Sequence, residues 1–314
     1  MESFIFSLNA TIPIFLVMVL GNILMRTNFF TRDFVNHADR YVYRVALPVL
    51  LFKQIATADI YEEFDIRFVL YCMIVTTVIF GGIWLLSYLL FKDKSEVGAF
   101  TQAASRGSAA ILGIAFIESI YGNSGMGPLM ILSSVPLYNI YSVIILTFSA
   151  ADRTSGKNAI KKSLISILKN PILIGIFAGL PFALFRIQIP TIPMKTITLV
   201  AQTASPIALL VVGANFEGKK ALAKMKPTCI ATLLKLVIIP AIFIPVAVLI
   251  GFRNEALVAI AIMLGSPTTV TCYIMAKNLK NDEVLSSSII VLATLLSSFS
   301  LTAIIFILRY NGLI

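Results

Sequence analysis

Apolar residues run along this chain in blocks too long for the buried face of a water-soluble helix, and short polar connections separate one block from the next. Ten blocks can be marked: 4–25, 38–57, 67–91, 98–121, 126–150, 171–187, 196–216, 228–251, 254–276 and 284–308. Most approach the roughly 20 apolar residues that a hydrocarbon core of about 30 Å requires. The pattern predicts an all-α membrane protein of about ten transmembrane helices, five in each half. Pro13, Gly21 and Pro48 recur as Pro171, Gly179 and Pro206 at the same offsets of 8 and 35 residues from the first proline. Such a recurrence predicts a duplicated unit: residues 1–150 and 171–314, joined by a cytoplasmic linker at 151–170. A unit that crosses the bilayer an odd number of times has its copy inverted. The expectation is therefore a 5+5 inverted repeat, the architecture of secondary transporters.

Composition agrees with that solvent. Hydrophobic residues make up 58% of the chain, charged residues 13%, and there is one His in 314 residues, which leaves too little polar surface for a water-exposed exterior. The first block is long enough to span, and no small-residue cleavage site follows an early basic region, so no removable leader is expected. A formal net charge of +10 would suit a nucleic-acid partner, but its distribution points elsewhere. Counted together with the block ends that flank them, the connections after the odd-numbered blocks (26–44, 92–97, 151–170, 217–227 and 277–283) hold 17 Lys and Arg, against 6 around the other connections and the C-terminal end (Lys53, Arg67, Arg186, Lys195, Arg253 and Arg309). The positive-inside rule then places both termini outside. Asp59, Glu62, Glu63 and Asp65 fall on an outer connection and read as solvated surface.

Two cations, Arg106 and Lys235, belong to none of these connections and fall well inside spans. The fourth block, GAFTQAASRGSAAILGIAFIESIY, carries Gln102, Ser105, Arg106, Gly107, Ser108, Gly113 and Glu118 where a lipid-facing helix carries Leu and Ile. An ionised group at such depth faces protein or a water-filled cavity. The competing explanation is snorkelling, since Arg106 lies eight residues from the inner end, about 12 Å along a helix. Gly107 and Ser108 favour the inward reading, because they weaken the helix and offer donors at the same depth. The ninth block has a matching defect at Pro267, flanked by Gly265, Ser266, Thr268 and Thr269. Proline removes a backbone donor and clashes with the preceding turn, so a break is expected there. Two broken helices that cross would aim half-helix N-termini at an anionic ligand. Lys235, eight residues from the basic inner connection, reads as snorkelling, and Glu118 as hydrated.

Other chemistries find no footing. Cys72, Cys229 and Cys272 have no paired spacing and no His companion, so neither a disulfide nor a metal site is expected. There is no phosphate-binding GxxxxGK[ST] loop and no HExxH motif. An intramembrane enzyme would need a catalytic pair within the bilayer, and only Glu118 and scattered hydroxyls are on offer.

The run GNILMRTNFFTRDFVNHADRYVYRVALPVLLF resembles the opening of the auxin efflux carrier family. LGIAFIESIYGNSGMGPLMI and GSPTTVTCYIMAKNLKNDEVLSSSIIVLATLLS resemble its fourth and ninth spans; KNPILIGIFAGL and KLVIIP also fit. The resemblance covers essentially the whole chain, and the short linker is similar to that of prokaryotic members rather than to many plant PIN carriers. It implies a ten-helix fold related to that of bile acid symporters. Spans 1, 2, 6 and 7 would form a scaffold that dimerises, and spans 3–5 and 8–10 a moving transport domain. The implied substrate is an organic anion bound where spans 4 and 9 cross. A family Asn aligns with Ser108, preceded here by Gly107 rather than proline; a family proline aligns with Ala115; Pro267 is retained, with Thr268 after it. An acidic residue of span 3 linked to protons in plant members is absent, with Cys72 near its place.

Together these observations predict a carrier of a small organic anion, a dicarboxylate being favoured over auxin, in a prokaryotic cytoplasmic membrane, with no cofactor and no metal. Arg106, Gly107, Ser108, Pro267 and Thr268 are the expected substrate contacts; Gly113, Ala115, Gly265, Ser266 and Thr269 support the crossing. The alternative is a sodium- or proton-coupled symporter of the bile-acid type, which should show acidic ion ligands near the crossing.

Overall fold

The computed structural model describes residues 2–57, 65–108, 117, 120–121, 125–150, 165, 167–216 and 218–314. Gly113, Ala115, Glu118, most of the 151–170 linker, and Asp59, Glu62 and Glu63 lie outside the described residues. Among the described residues all regular structure is helical, with no strand. The helices are α1 (Glu2–Arg26), α2 (Arg32–Tyr41), α3 (Leu47–Ala56), α4 (Ile66–Leu90), α5 (Lys94–Ser105), α6 (Gly127–Phe148) and α7 (Pro171–Leu184). They continue with α8 (Thr191–Asn215), α9 (Gly218–Ala223), α10 (Met225–Leu233), α11 (Ile239–Ile250), α12 (Asn254–Gly265), α13 (Thr271–Asn278) and α14 (Glu283–Tyr310). Five helical runs are long and apolar enough to cross a membrane: α4, α6, α8, the run Met225–Ile250 and α14. Three shorter apolar helices, Ile12–Arg26, Pro171–Leu184 and Asn254–Gly265, accompany them. The chain is thus an all-helical integral membrane protein.

Helix starts are set by side chains that take up free backbone donors. Asp65 accepts from Arg67 and Phe68, Asp93 from Ser95, Asn170 from Ile172 and Asp282 from Leu285. Two helical runs contain a widened π turn, at Val42–Ala46 and Leu234–Ile238, and each precedes a helix with proline at its second residue, Pro48 or Pro240. A proline ring displaces the carbonyl four residues back and offers no N–H, and a wider turn relieves both problems.

The helices pack in two groups. One holds α1, α2–α3, α7 and α8; the other holds α4–α6 and α10–α14. Glycine makes the first group tight. A Cβ on Gly213 would land on the Met18 carbonyl, and one on Gly21 on the Leu210 carbonyl, so α1 and α8 meet backbone to backbone. Asn22 seals the pair by donating to the Gly213 and Phe216 carbonyls, both at 3.1 Å. Pro48 belongs to this group's packing too, since its carbonyl faces Gly175 of α7.

The second group is pinned by charge. Lys224 pairs with Glu96 in the first turn of α5 and with Asp282, the N-cap of α14, at 3.0 Å. Burial pulls the Lys224 pKa down, but the hydrogen bonds and charges of Glu96 and Asp282 outweigh it and hold the ammonium above the ordinary lysine range. The groups meet along α1 against α14 and α8 against α13.

Candidate functional site

Both expected defects are real interruptions. α5 ends at Ser105, and Arg106 leaves it in an extended conformation; α12 ends at Gly265, and Ser266 does the same. The two half-helices are each 12 residues long. Where they stop, carbonyls that an unbroken helix would satisfy are left facing apolar protein, and their partners come from the opposite break. Thr268 donates its hydroxyl to the Ala103 carbonyl at 2.7 Å. Ser108 donates its backbone N–H to the Pro267 carbonyl at 2.9 Å. The breaks therefore hold each other open, and Gly107 lets them approach: a Cβ there would collide with the Ser266 hydroxyl.

Lys235 corrects the snorkelling expectation. It is 1% exposed, and its ammonium donates to the Leu264 carbonyl at 2.7 Å. Packing explains the difference, because the end of α12 lies against the π turn that carries Lys235 and offers a carbonyl at the negative end of a half-helix dipole. The ammonium caps that end rather than reaching for headgroups. It also comes within 3.0 Å of where a Gly107 Cβ would stand. No local pattern in span 8 signals this contact; proline six residues after the π turn begins is the nearest trace.

Arg106 is 5% exposed. Its Nη1 contacts the Met275 sulfur of α13 at 3.2 Å, and its Nε has no partner among the described residues. Gln102 donates to the same sulfur at 3.3 Å. Thioether sulfur is a weak acceptor, so the guanidinium charge is poorly compensated, and among the described residues no carboxylate pairs with it. A buried charge in that state is costly unless something of opposite sign visits. The hydroxyls of Ser105 and Ser266 are likewise buried without partners.

Two cavities flank the crossing. One, of about 40 Å³, brings Arg106, Gly107, Ser108 and Thr269 together with Gln54 of α3 and Tyr138 of α6. The other, of about 60 Å³, lies beside Ser108, Pro267, Thr268 and Thr269 and is closed by Ser205 of α8 and Thr294 of α14. The structure thus brings Arg106, Gly107, Ser108, Pro267, Thr268 and Thr269 to one place. Gly265 packs instead against Leu301 and Ile304 of α14, and Ser266 faces Gly107 behind the crossing. Sequence reasoning missed Ser205, Thr294 and Gln54; Ser and Thr recur along α8 and α14, so nothing local singles these positions out. Among the described residues no cluster of His, Cys, Asp or Glu could hold a metal ion.

A profile of the family described as "Membrane transport protein" matches residues 6–305. The chain belongs to this family of transporters, the auxin efflux carrier family. Among its relatives is "Uncharacterized transporter YfdV" of Escherichia coli K12, 25% identical over 257 residues, covering 80% of this chain and 82% of that protein. A Rhizobium meliloti protein named "Putative malonate transporter" is 24% identical over 310 residues, 96% of each chain. The mouse "Lysosomal cholesterol signaling protein" is 23% identical over 248 residues, which cover 74% of this chain and 28% of that larger protein. Family membership makes this protein a membrane transporter, and both breaks lie within the matched region.

Proposed function

We propose that this transporter is a secondary carrier of a small organic anion, a carboxylate, that works by alternating access. The observation that carries the proposal is Arg106: a buried cation whose hydrogen-bond partner among the described residues is a thioether, beside a cavity at the junction of two helix breaks. A carboxylate entering that cavity would receive a charge-assisted hydrogen bond from the guanidinium. Relatedness to the protein named for malonate is consistent with an anionic substrate.

In this proposal the chain is two five-helix repeats in inverted orientation, 1–150 and 171–314, with both termini outside the cytoplasmic membrane. The first packing group is the scaffold, through which two copies dimerise. The second group moves against it and carries the crossing. The α12 carbonyl end that a coupling cation would suit is occupied by the Lys235 ammonium, so a sodium-dependent symporter is the weaker reading.

The test is flux. Purified protein in vesicles should accumulate or release at least one labelled carboxylate from a panel, with imposed pH and sodium gradients separating coupled from uncoupled movement. Failure of every carboxylate, with cations or sugars transported instead, would overturn the proposal.

A further inference from the structure

The two cavities at the crossing are not alike, and their difference bears on what the substrate looks like. On the α3 side stands the charge. Arg106 contributes it, and among the described lining residues no other ionised side chain faces that cavity. The cavity on the α8 side has hydroxyls and no ionisable group: Ser108, Ser205, Thr268, Thr269 and Thr294. Ser108 and Thr269 line both, so the cavities adjoin. Residues 109–116, which follow Ser108 and lie outside the described residues, contain no Lys or Arg to add a second cation. The other buried cation, Lys235, is committed to the Leu264 carbonyl and lines neither cavity.

The hydroxyls differ in how far they are engaged. Thr268 donates its hydroxyl hydrogen bond to the Ala103 carbonyl, and Thr269 lies 3.4 Å from the Thr271 hydroxyl. The side chains of Ser108, Ser205 and Thr294 make no hydrogen bond among the described residues, and Thr294 is 2% exposed on α14. Thr294 is buried and Ser108 and Ser205 are half-buried, so a ligand entering this cavity would meet hydroxyls that can each give and take a hydrogen bond. At about 40 and 60 Å³ and sharing Ser108 and Thr269, the two cavities offer adjoining places for a carboxylate and a small polar group.

From this we infer that the substrate is a monocarboxylate carrying an uncharged hydrogen-bonding group, such as a hydroxyl, a few atoms from the carboxylate. Arg106 takes the carboxylate, and the α8-side pocket of Ser205 and Thr294 takes the hydroxyl. The inference rests on the anion-carrier reading above and departs from a dicarboxylate. A second carboxylate would lie among hydroxyls with no cation, and an unpaired charge buried in protein is far costlier than a hydroxyl with matched partners.

Competition against labelled 3-hydroxybutyrate, measured on the full-length protein in vesicles, tests this. Butyrate should compete about 10-fold less well, as expected for one neutral hydrogen bond lost. Malonate and the uncharged 3-hydroxybutyramide should each be weaker by about 100-fold, the first for its unpaired charge and the second for lacking one. Ser205→Ala combined with Thr294→Val should collapse the difference between 3-hydroxybutyrate and butyrate, bringing the two to similar potency. Malonate that binds as well as or better than 3-hydroxybutyrate, or a double variant that weakens both monocarboxylates equally, would overturn the inference and leave the anion carrier standing. If the double variant does not fold, the rank order in wild type decides alone. Loss of the parent reading has its own signature: no carboxylate competes, or Arg106→Gln binds all four compounds as wild type does, and the inference then falls with it.

Discussion

At Arg106 two explanations of a buried cation compete, and they disagree about lysine. A guanidinium that meets a substrate carboxylate makes a planar, two-pronged contact that a point ammonium cannot copy, so Arg106→Lys should fail nearly as badly as Arg106→Gln. A charge-assisted hydrogen bond is worth roughly 1.5 to 3 kcal/mol net, or about a 10- to 150-fold loss of substrate affinity. Wild-type affinity in both variants would assign the arginine a purely structural place. Lys235 gives the contrast in the same assay. Lys235→Met leaves the Leu264 carbonyl unpaired, so the protein should lose about 1 to 3 kcal/mol of stability, read as a lower midpoint of thermal unfolding in detergent. The polar cluster around Arg106 was legible in the sequence because Gln, Arg, Gly and Ser side by side contradict a lipid-facing helix. Lys235 was not, since a lysine eight residues from a basic connection looks the same whether it bends toward headgroups or toward a neighbouring helix end. Only packing separates the two.

For the helices themselves, the break at Pro267 was readable from proline chemistry, and α12 does end two residues before it. What the pattern did not carry is that the breaks are capped by each other: Thr268 on Ala103 and Ser108 on Pro267 are contacts across more than 150 residues. The π turns escaped notice for a similar reason, because a proline within an apolar run predicts a disturbance without stating whether the helix kinks, stops or widens. Pro267→Ala restores a backbone donor and lets α12 continue toward α13. Ser108 would then lose its acceptor geometry and Thr268 its reach to Ala103. Flux should collapse with the protein still inserted and monodisperse. Transport at the wild-type rate in Pro267→Ala would show that Gly265 and the threonines hold the break open unaided.

Across the whole molecule, the two packing groups touch away from the crossing through Asp39 of α2 and Asn278 of α13. The Asn278 amide donates to the carboxylate of Asp39 at 2.9 Å, and Lys277 reaches Asn36 at 3.5 Å. Asp39 is buried, and its second carboxylate oxygen lacks a partner, so this contact is made between groups rather than with water. If one group moves against the other during transport, the contact must part once per cycle. Cysteines at 39 and 278, joined by a short bifunctional thiol reagent in a background without the native cysteines, should halt flux. A reducible linker should return it on cleavage. Undiminished flux in the cross-linked protein would mean that the groups do not separate there.

The backbone meetings of α1 with α8 and of α3 with α7, the Asn170 amide on the Tyr43 hydroxyl at 2.8 Å and the Asn281 amide on the Leu146 carbonyl at 2.9 Å all join residues before 150 to residues after 165. Each half is therefore built around the other. Covalent continuity between the halves is then expected to be dispensable, so the gene could be severed between them. Two polypeptides, 1–150 and 165–314, made together in one cell should find each other, co-purify on a tag carried by either and transport what the intact chain transports, whereas either fragment alone should aggregate or be degraded.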